Sequence, residues 1–257
     1  MNRIDYLFQT KKERVLSIYV TAGFPELGDT LPVMEAIQAS GADIIELGIP
    51  YSDPIADGPT IQESNAIALE NGMSIKTLFS QLVGFRSKIH VPVILMGYLN
   101  PIIQFGMEEF CKKCKEVGID GLILPDLPMS QYLEEYKALF EEYGLFISFL
   151  ISPQTSEKRI REVDENSNGF IYMVSSHAIT GAKASISKEQ ETYFERVAGM
   201  NLNHPRLIGF GISDAATFQL ASRYSNGAII GSAFIKKIKD SKELKKDIKN
   251  FLTEVRG

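Results

Sequence analysis

Eight short runs rich in Val, Ile and Leu recur along the chain, and most are continuous rather than alternating. They cover residues 15–21, 43–47, 93–96, 121–124, 146–151, 170–174, 207–210 and 228–230. A strand that is apolar on both faces has no side to turn to water, so it belongs in a parallel sheet covered by helices. Between the runs lie segments of helical spacing at 29–40, 130–143, 156–163, 187–197, 213–221 and 234–255. Ser130, Thr155 with Ser156, and Ser213 with Asp214 are suited to N-capping. Gly41, Gly118, Gly144 and Gly169 stand where helices would stop before a strand. Eight strand–helix units account for the 257 residues, and no Pro/Gly/Ser-rich linker divides them. The expectation is an α/β chain: one (β/α)8 TIM barrel over 1–257, a single catalytic domain, with an extra N-terminal helix at 2–10. An open doubly wound sheet is the alternative, and the even spacing of eight strands favours closure.

Composition narrows the partners. Lys and Arg total 27 against 32 Asp and Glu, a formal charge of -5. A mildly acidic chain suits neither nucleic acid nor an anionic membrane over a wide surface. No apolar run nears the roughly 20 residues of a membrane helix, and residues 1–12 lack the apolar stretch of a signal peptide. A soluble, cytoplasmic protein is expected. Cys111 and Cys114 form a lone CxxC on one face of an expected helix, too few ligands for a structural zinc site, so no metal is expected. His90 and His204 each precede a strand and read as surface residues. The lysine-rich stretch 236–249 also carries Asp240, Glu243 and Asp247, and reads as a solvated helix face.

A barrel places its chemistry at the C-terminal ends of the strands. Glu46 follows Ile44 and Ile45 near the end of the second strand. Burial there raises the carboxyl's pKa unless it is paired, and a raised carboxyl moves protons near neutral pH. The plainer reading is an ion pair inside the barrel. Asp53 and Asp57 lie on the next loop, stiffened by Pro50, Pro54 and Pro59. Either can hold a substrate, or merely cap a turn or the next helix.

The seventh and eighth strands run into Gly209-Phe210-Gly211-Ile212-Ser213 and Gly227-Ala228-Ile229-Ile230-Gly231-Ser232-Ala233. Glycines let backbone amides approach an anion, and helix N-termini favour negative charge. Barrels often bind phosphate in these two places, so a phosphorylated ligand is expected. Glycine is also the ordinary residue of tight strand–helix turns. The loop after the sixth strand, 175–185, is long and rich in small residues, which suits a lid that excludes water.

The stretch from Glu46-Leu47-Gly48-Ile49-Pro50 to Asp57-Gly58-Pro59 closely resembles the signature of the tryptophan synthase alpha subunit family. Further motifs resemble that family in the expected order: Val20-Thr21-Ala22-Gly23 with Pro25, Met96-Gly97-Tyr98-Leu99-Asn100-Pro101, Pro125-Asp126-Leu127-Pro128, Ile179-Thr180-Gly181 and Gly209-Phe210-Gly211-Ile212-Ser213. The resemblance implies a (β/α)8 lyase of tryptophan biosynthesis that cleaves indole-3-glycerol phosphate to indole and glyceraldehyde 3-phosphate. It implies Glu46 and Asp57 as catalytic residues. It also implies that Gly181, Gly211, Gly231 and Ser232 bind phosphate, that Tyr172 stands beside the active site, and that Tyr19 belongs to the substrate pocket. Thr180 would be the lid threonine that orients the aspartate. No cofactor is implied in this chain. A beta subunit carrying pyridoxal phosphate would be the partner in an alpha2-beta2 heterotetramer, receiving indole through a tunnel.

The lid departs from the family pattern. Ser176 stands where many members have arginine, and Ala178 where they have glycine. A charged latch is missing, and His177 or Lys183 would have to supply a substitute contact. The altered lid motivates a second reading, a barrel that mainly activates its partner without catalysis of its own, and a free-standing indole-releasing lyase of the same family stands beside it because partner contacts lie on loops that also serve catalysis.

Overall fold

The computed structural model describes residues 1–175, 187–209 and 211–257. Among them, nine strands join in one wholly parallel sheet. They are β1 (Val15–Thr21), β2 (Ile44–Gly48), β3 (Val93–Met96), β4 (Gly121–Ile123), β5 (Phe146–Ile147), β6 (Leu150–Ile151), β7 (Ile171–Val174), β8 (Arg206–Gly209) and β9 (Gly227–Ile230). The spatial order is β5-β4-β3-β2-β1-β9-β8-β7-β6. Its two ends, β5 and β6, are consecutive in the chain and separated only by Ser148 and Phe149. The Ser148 amide donates to Leu122 O at 3.1 Å, and the Tyr172 amide donates to Phe149 O at 2.9 Å. One fifth strand thus pairs its first half with β4 and its second half with β7. The ring closes, and the architecture is the expected (β/α)8 barrel with eight strands.

All seven residues of β1 and all five of β2 are buried. Alternation along β1 puts Ser17, Tyr19 and Thr21 on one face and Leu16, Ile18 and Val20 on the other. Tyr19 is the register partner of Glu46, and Thr21 of Gly48. Two acids hold the N-terminal ends of the strands. Asp43, just before β2, accepts from Lys11 and Arg256, each at 2.7 Å, and from the Leu16 amide at 2.8 Å. Asp120, just before β4, pairs with Arg3 at 2.9 Å and with Arg86, and accepts from the Val93 amide at 2.8 Å.

The N-terminal helix is Arg3–Thr10, with Asn2 as its cap. Ser156 and Asp214 cap as expected, and Gly41, Gly118 and Gly144 take positive φ beyond helix ends. Three expectations fail. The segment 234–255 is two helices, Ser232–Lys239 and Leu244–Arg256, because the chain leaves helical geometry at Asp240 and Glu243. Ser130 is not a cap: helix begins at Met129 after Pro128, and the segment 130–143 is interrupted by a wider turn at Tyr132–Tyr136. Gly169 does not end a helix, since Glu157–Asn166 stops with Ser167 as its C-cap. No helix among the described residues is long and apolar enough to cross a membrane.

Candidate active site

Glu46 is the third residue of β2 and is completely buried. Ser17 on β1 donates its hydroxyl to Glu46 Oε1 at 2.7 Å. Oε2 has no hydrogen-bond partner among the described residues. Burial raises the carboxyl from 4.5 to about 7, against the lowering effect of the Ser17 hydrogen bond. Among the described residues no cation pairs with it, so the ion-pair reading finds no partner there.

Asp57 is buried, while Asp53 is exposed. The Tyr98 hydroxyl donates to Asp57 Oδ2 at 3.1 Å and itself accepts from the Ala56 amide at 3.0 Å. Burial raises Asp57 from 3.8 to about 6, again opposed by its hydrogen bond. The helix Pro59–Glu70 has Gly58 at its cap position and Pro59 in its first turn, with no side-chain cap. Asp57 is therefore not a helix cap. Its carboxyl is held by a tyrosine that follows β3.

Two tyrosines complete the inner wall. Tyr19 and Tyr172 are both buried. Burial pushes each phenol well above its ordinary range. For Tyr19 the charge of Asp57 adds most after burial, and for Tyr172 that of Glu46. Both tyrosines and both carboxyls therefore share one buried electrostatic cluster. Each phenol occupies space that a glycine leaves open. A Cβ built on Gly48 lies 2.6 Å from Tyr19 Cζ, and one on Gly209 lies 2.6 Å from Tyr172 Cζ. Tyr19 Oη is 3.3 Å from Thr21 Oγ1, which is 2.7 Å from Ser64 Oγ, which donates to Ile61 O at 2.8 Å.

The two glycine turns differ. The helix Ala215–Tyr224 after β8 is closed by a capping box between Asp214 and Thr217. The helix Ser232–Lys239 after β9 starts at Gly231 with no side-chain cap, so its first amides are not satisfied by a capping side chain. A Cβ built on Gly231 would lie 3.5 Å from Tyr19 Cβ and 3.8 Å from Ile61 Cδ1, which puts this helix start beside the tyrosine wall. Gly211 has φ +80, a backbone that favours glycine. Thr180, Gly181, Ser176, His177, Ala178, Lys183 and Phe210 lie outside the described residues.

Ser17, Thr21, Ser64 and Tyr98 were not singled out from the sequence as site residues. Ser17 had a signal, being a hydroxyl within the apolar run of β1, two register positions before the Tyr19–Glu46 pair. Cys111 and Cys114 are buried, and burial raises both thiols. His90 is exposed, whereas His204 is half-buried with Nδ1 3.3 Å from Asp164. Among the described residues no group of three or more His, Cys, Asp or Glu is arranged to hold a metal ion.

A closed parallel barrel with two carboxyls poised near neutrality, beside an uncapped helix start after its last strand, defines a barrel enzyme of acid–base type. The family model described as tryptophan synthase alpha chain matches residues 7–256. A tryptophan synthase alpha chain of Flavobacterium johnsoniae is 54% identical over 256 residues, covering 100% of both chains. That of Parabacteroides distasonis is 53% identical over 239 residues, covering 93% of each. A crystal structure of the alpha subunit from Legionella pneumophila superposes with a TM-score of 0.90 at 32% identity, covering 100% of this chain and 97% of that one. The chain belongs to the tryptophan synthase alpha chain family. The reaction of that family is the alpha reaction, a lyase step that releases indole from indole-3-glycerol phosphate.

Proposed function

We propose that Glu46 and Asp57 carry the alpha reaction in this chain. The observation that supports this most is Glu46 itself: fully buried, uncompensated by any cation among the described residues, and raised to about 7. At neutral pH such a carboxyl is present in both forms, so it serves first as acid and then as base. It gives its proton to indole C3, forming the C3–H bond. It then takes the proton of the glycerol hydroxyl beside the C3–C1′ bond. As that bond breaks, its electron pair restores the ring and the hydroxyl carbon becomes the aldehyde of glyceraldehyde 3-phosphate. Asp57, raised only to about 6, stays mostly charged, accepts the indole N–H and offsets positive charge on the ring.

Tyr19 and Tyr172 wall the indole pocket. Gly211, Gly231 and Ser232 take the phosphate, with Gly181 and the lid threonine Thr180 completing the site. Phosphate binding remote from the reacting bond positions it for cleavage. The family's alpha chain uses no cofactor of its own, and pyridoxal phosphate belongs to the beta subunit. The partner is a beta subunit in a cytoplasmic heterotetramer, with residues 1–257 acting as one catalytic domain.

The test is indole release from indole-3-glycerol phosphate by the purified chain, alone and with a cognate beta subunit. Low activity that rises with the partner is expected. High activity alone would mark a free-standing lyase. No activity in either condition from folded protein would mark a partner-activating barrel. E46Q should abolish release and D57N should remove most of it. Near-normal rates in either would overturn that residue's role.

A further inference from the structure

The two oxygens of Glu46 are not equivalent. Oε1 accepts from Ser17 Oγ at 2.7 Å, and both residues are completely buried. Oε2 is buried and has no protein partner among the described residues. We propose that Ser17 is a positioning residue that confines the Glu46 proton to Oε2, so that one defined oxygen delivers and later recovers it. The proposal rests on the reading of Glu46 as the proton carrier.

The argument is an account of protons. A serine hydroxyl has one proton to donate. Among the described residues, the bond to Glu46 is the only hydrogen bond of the Ser17 hydroxyl. If the acid proton sat on Oε1 and pointed at Ser17, the serine's own proton would be buried without an acceptor, an unfavourable arrangement. With the proton on Oε2, Ser17 still donates to Oε1 and nothing is stranded on the serine. Oε1 then acts as the carbonyl oxygen and Oε2 as the hydroxyl. After proton transfer to C3 the electron pair remains on Oε2, and Oε1 keeps its hydrogen bond. The carboxylate then faces the substrate hydroxyl with the same oxygen. Because Ser17 and Glu46 lie on adjacent parallel strands, backbone pairing fixes the geometry.

The effect of Ser17 on the charged form has the matching sign. Its hydrogen bond lowers the Glu46 pKa, opposing burial. Losing it raises that pKa further and frees the carboxyl to rotate.

The experiment compares the full-length chain with S17A, S17T and E46Q. The first readout is the pH dependence of kcat/KM for indole release. The second is the infrared carbonyl band of protonated Glu46, identified by its absence in E46Q. In S17A the alkaline limb should move up by about one pH unit, the value of one hydrogen bond to a charged group. Its kcat should fall about tenfold through lost orientation, with little change in KM. The carbonyl band should rise in frequency, because its oxygen has lost a donor. S17T keeps the hydroxyl and should restore all three. If S17A folds poorly, S17V against S17T makes the same comparison at equal size. Profiles and bands of S17A or S17V that superimpose on those of the hydroxyl-bearing chain would overturn the proposal. Activity in E46Q would instead sink the underlying role of Glu46.

Discussion

The ring of Tyr19 lies over the backbone of Gly48, two residues beyond its own register partner Glu46. A Cβ at Gly48 would come within 2.6 Å of Tyr19 Cζ. The strand beside the carboxyl is thus narrowed to accept the phenol.

Gly48→Ala should force Tyr19 from its place. The cost of overpacking is about 1–3 kcal/mol in urea unfolding. The KM for indole-3-glycerol phosphate should rise because the proposed pocket wall moves. Unchanged stability and KM together would show that the ring is free to shift.

Glu46→Gln should stabilise the fold while abolishing turnover. The folded carboxyl titrates at about 7 rather than 4.5, so the folded chain holds a proton that the unfolded chain releases. That contribution is fully present below about 4.5 and is lost as pH rises through 7. At pH 8 the variant should gain about 2–3 kcal/mol over the parent, and at pH 4 the gain should vanish. Denaturant melts at the two pH values read it directly, and equal differences at both would refute it.

Tyr98→Phe removes the hydrogen bond that lowers the Asp57 pKa, so that value rises above about 6. More Asp57 is then protonated near neutrality. Indole release should fall several-fold at pH 6.5 and much less at pH 8.5. An equal loss at both would assign Tyr98 to packing alone.

Asp120→Ala leaves the guanidinium of Arg86 without its carboxylate and releases Arg3 from the end of the barrel. Breaking a largely buried pair costs about 3 kcal/mol or more. Thermal unfolding should show the loss, whereas KM measured well below the melting temperature should stay unchanged. Asp120 precedes its strand and Glu46 lies inside one, so this ion pair and the proposed proton carrier stand at different levels of the ring.

The barrel was legible because its strands are buried on both faces, which leaves unbroken apolar runs. The run 146–151 was readable as one strand, yet its division between two neighbours depends on pairing far along the chain. The break between Lys239 and Leu244 does have a signal, since Asp240-Ser241-Lys242-Glu243 carries no apolar residue to continue the spacing from Ile238, but neither Gly nor Pro marks it. Glu46 stood out as a charge at a strand end, and Asp57 on a proline-rich loop. The partners that hold them did not stand out. Ser17 and Tyr98 reach the two carboxyls across 29 and 41 positions of sequence, and only the parallel ring brings them together. The two glycine turns differ as the sequence suggests, since the Asp214 cap follows only the first of them.

The hydroxyls behind Tyr19 have a direction. Ser64 gives its one proton to Ile61 O, so the bond between Ser64 and Thr21 must be donated by Thr21. Thr21 then has none left, so Tyr19 must donate to Thr21. The phenol's proton is committed to the wall behind it. Toward anything bound against it, Tyr19 offers lone pairs only. The proposed pocket is therefore polarised to welcome a donor and to disfavour an acceptor at that point, a preference written by a serine on a neighbouring helix.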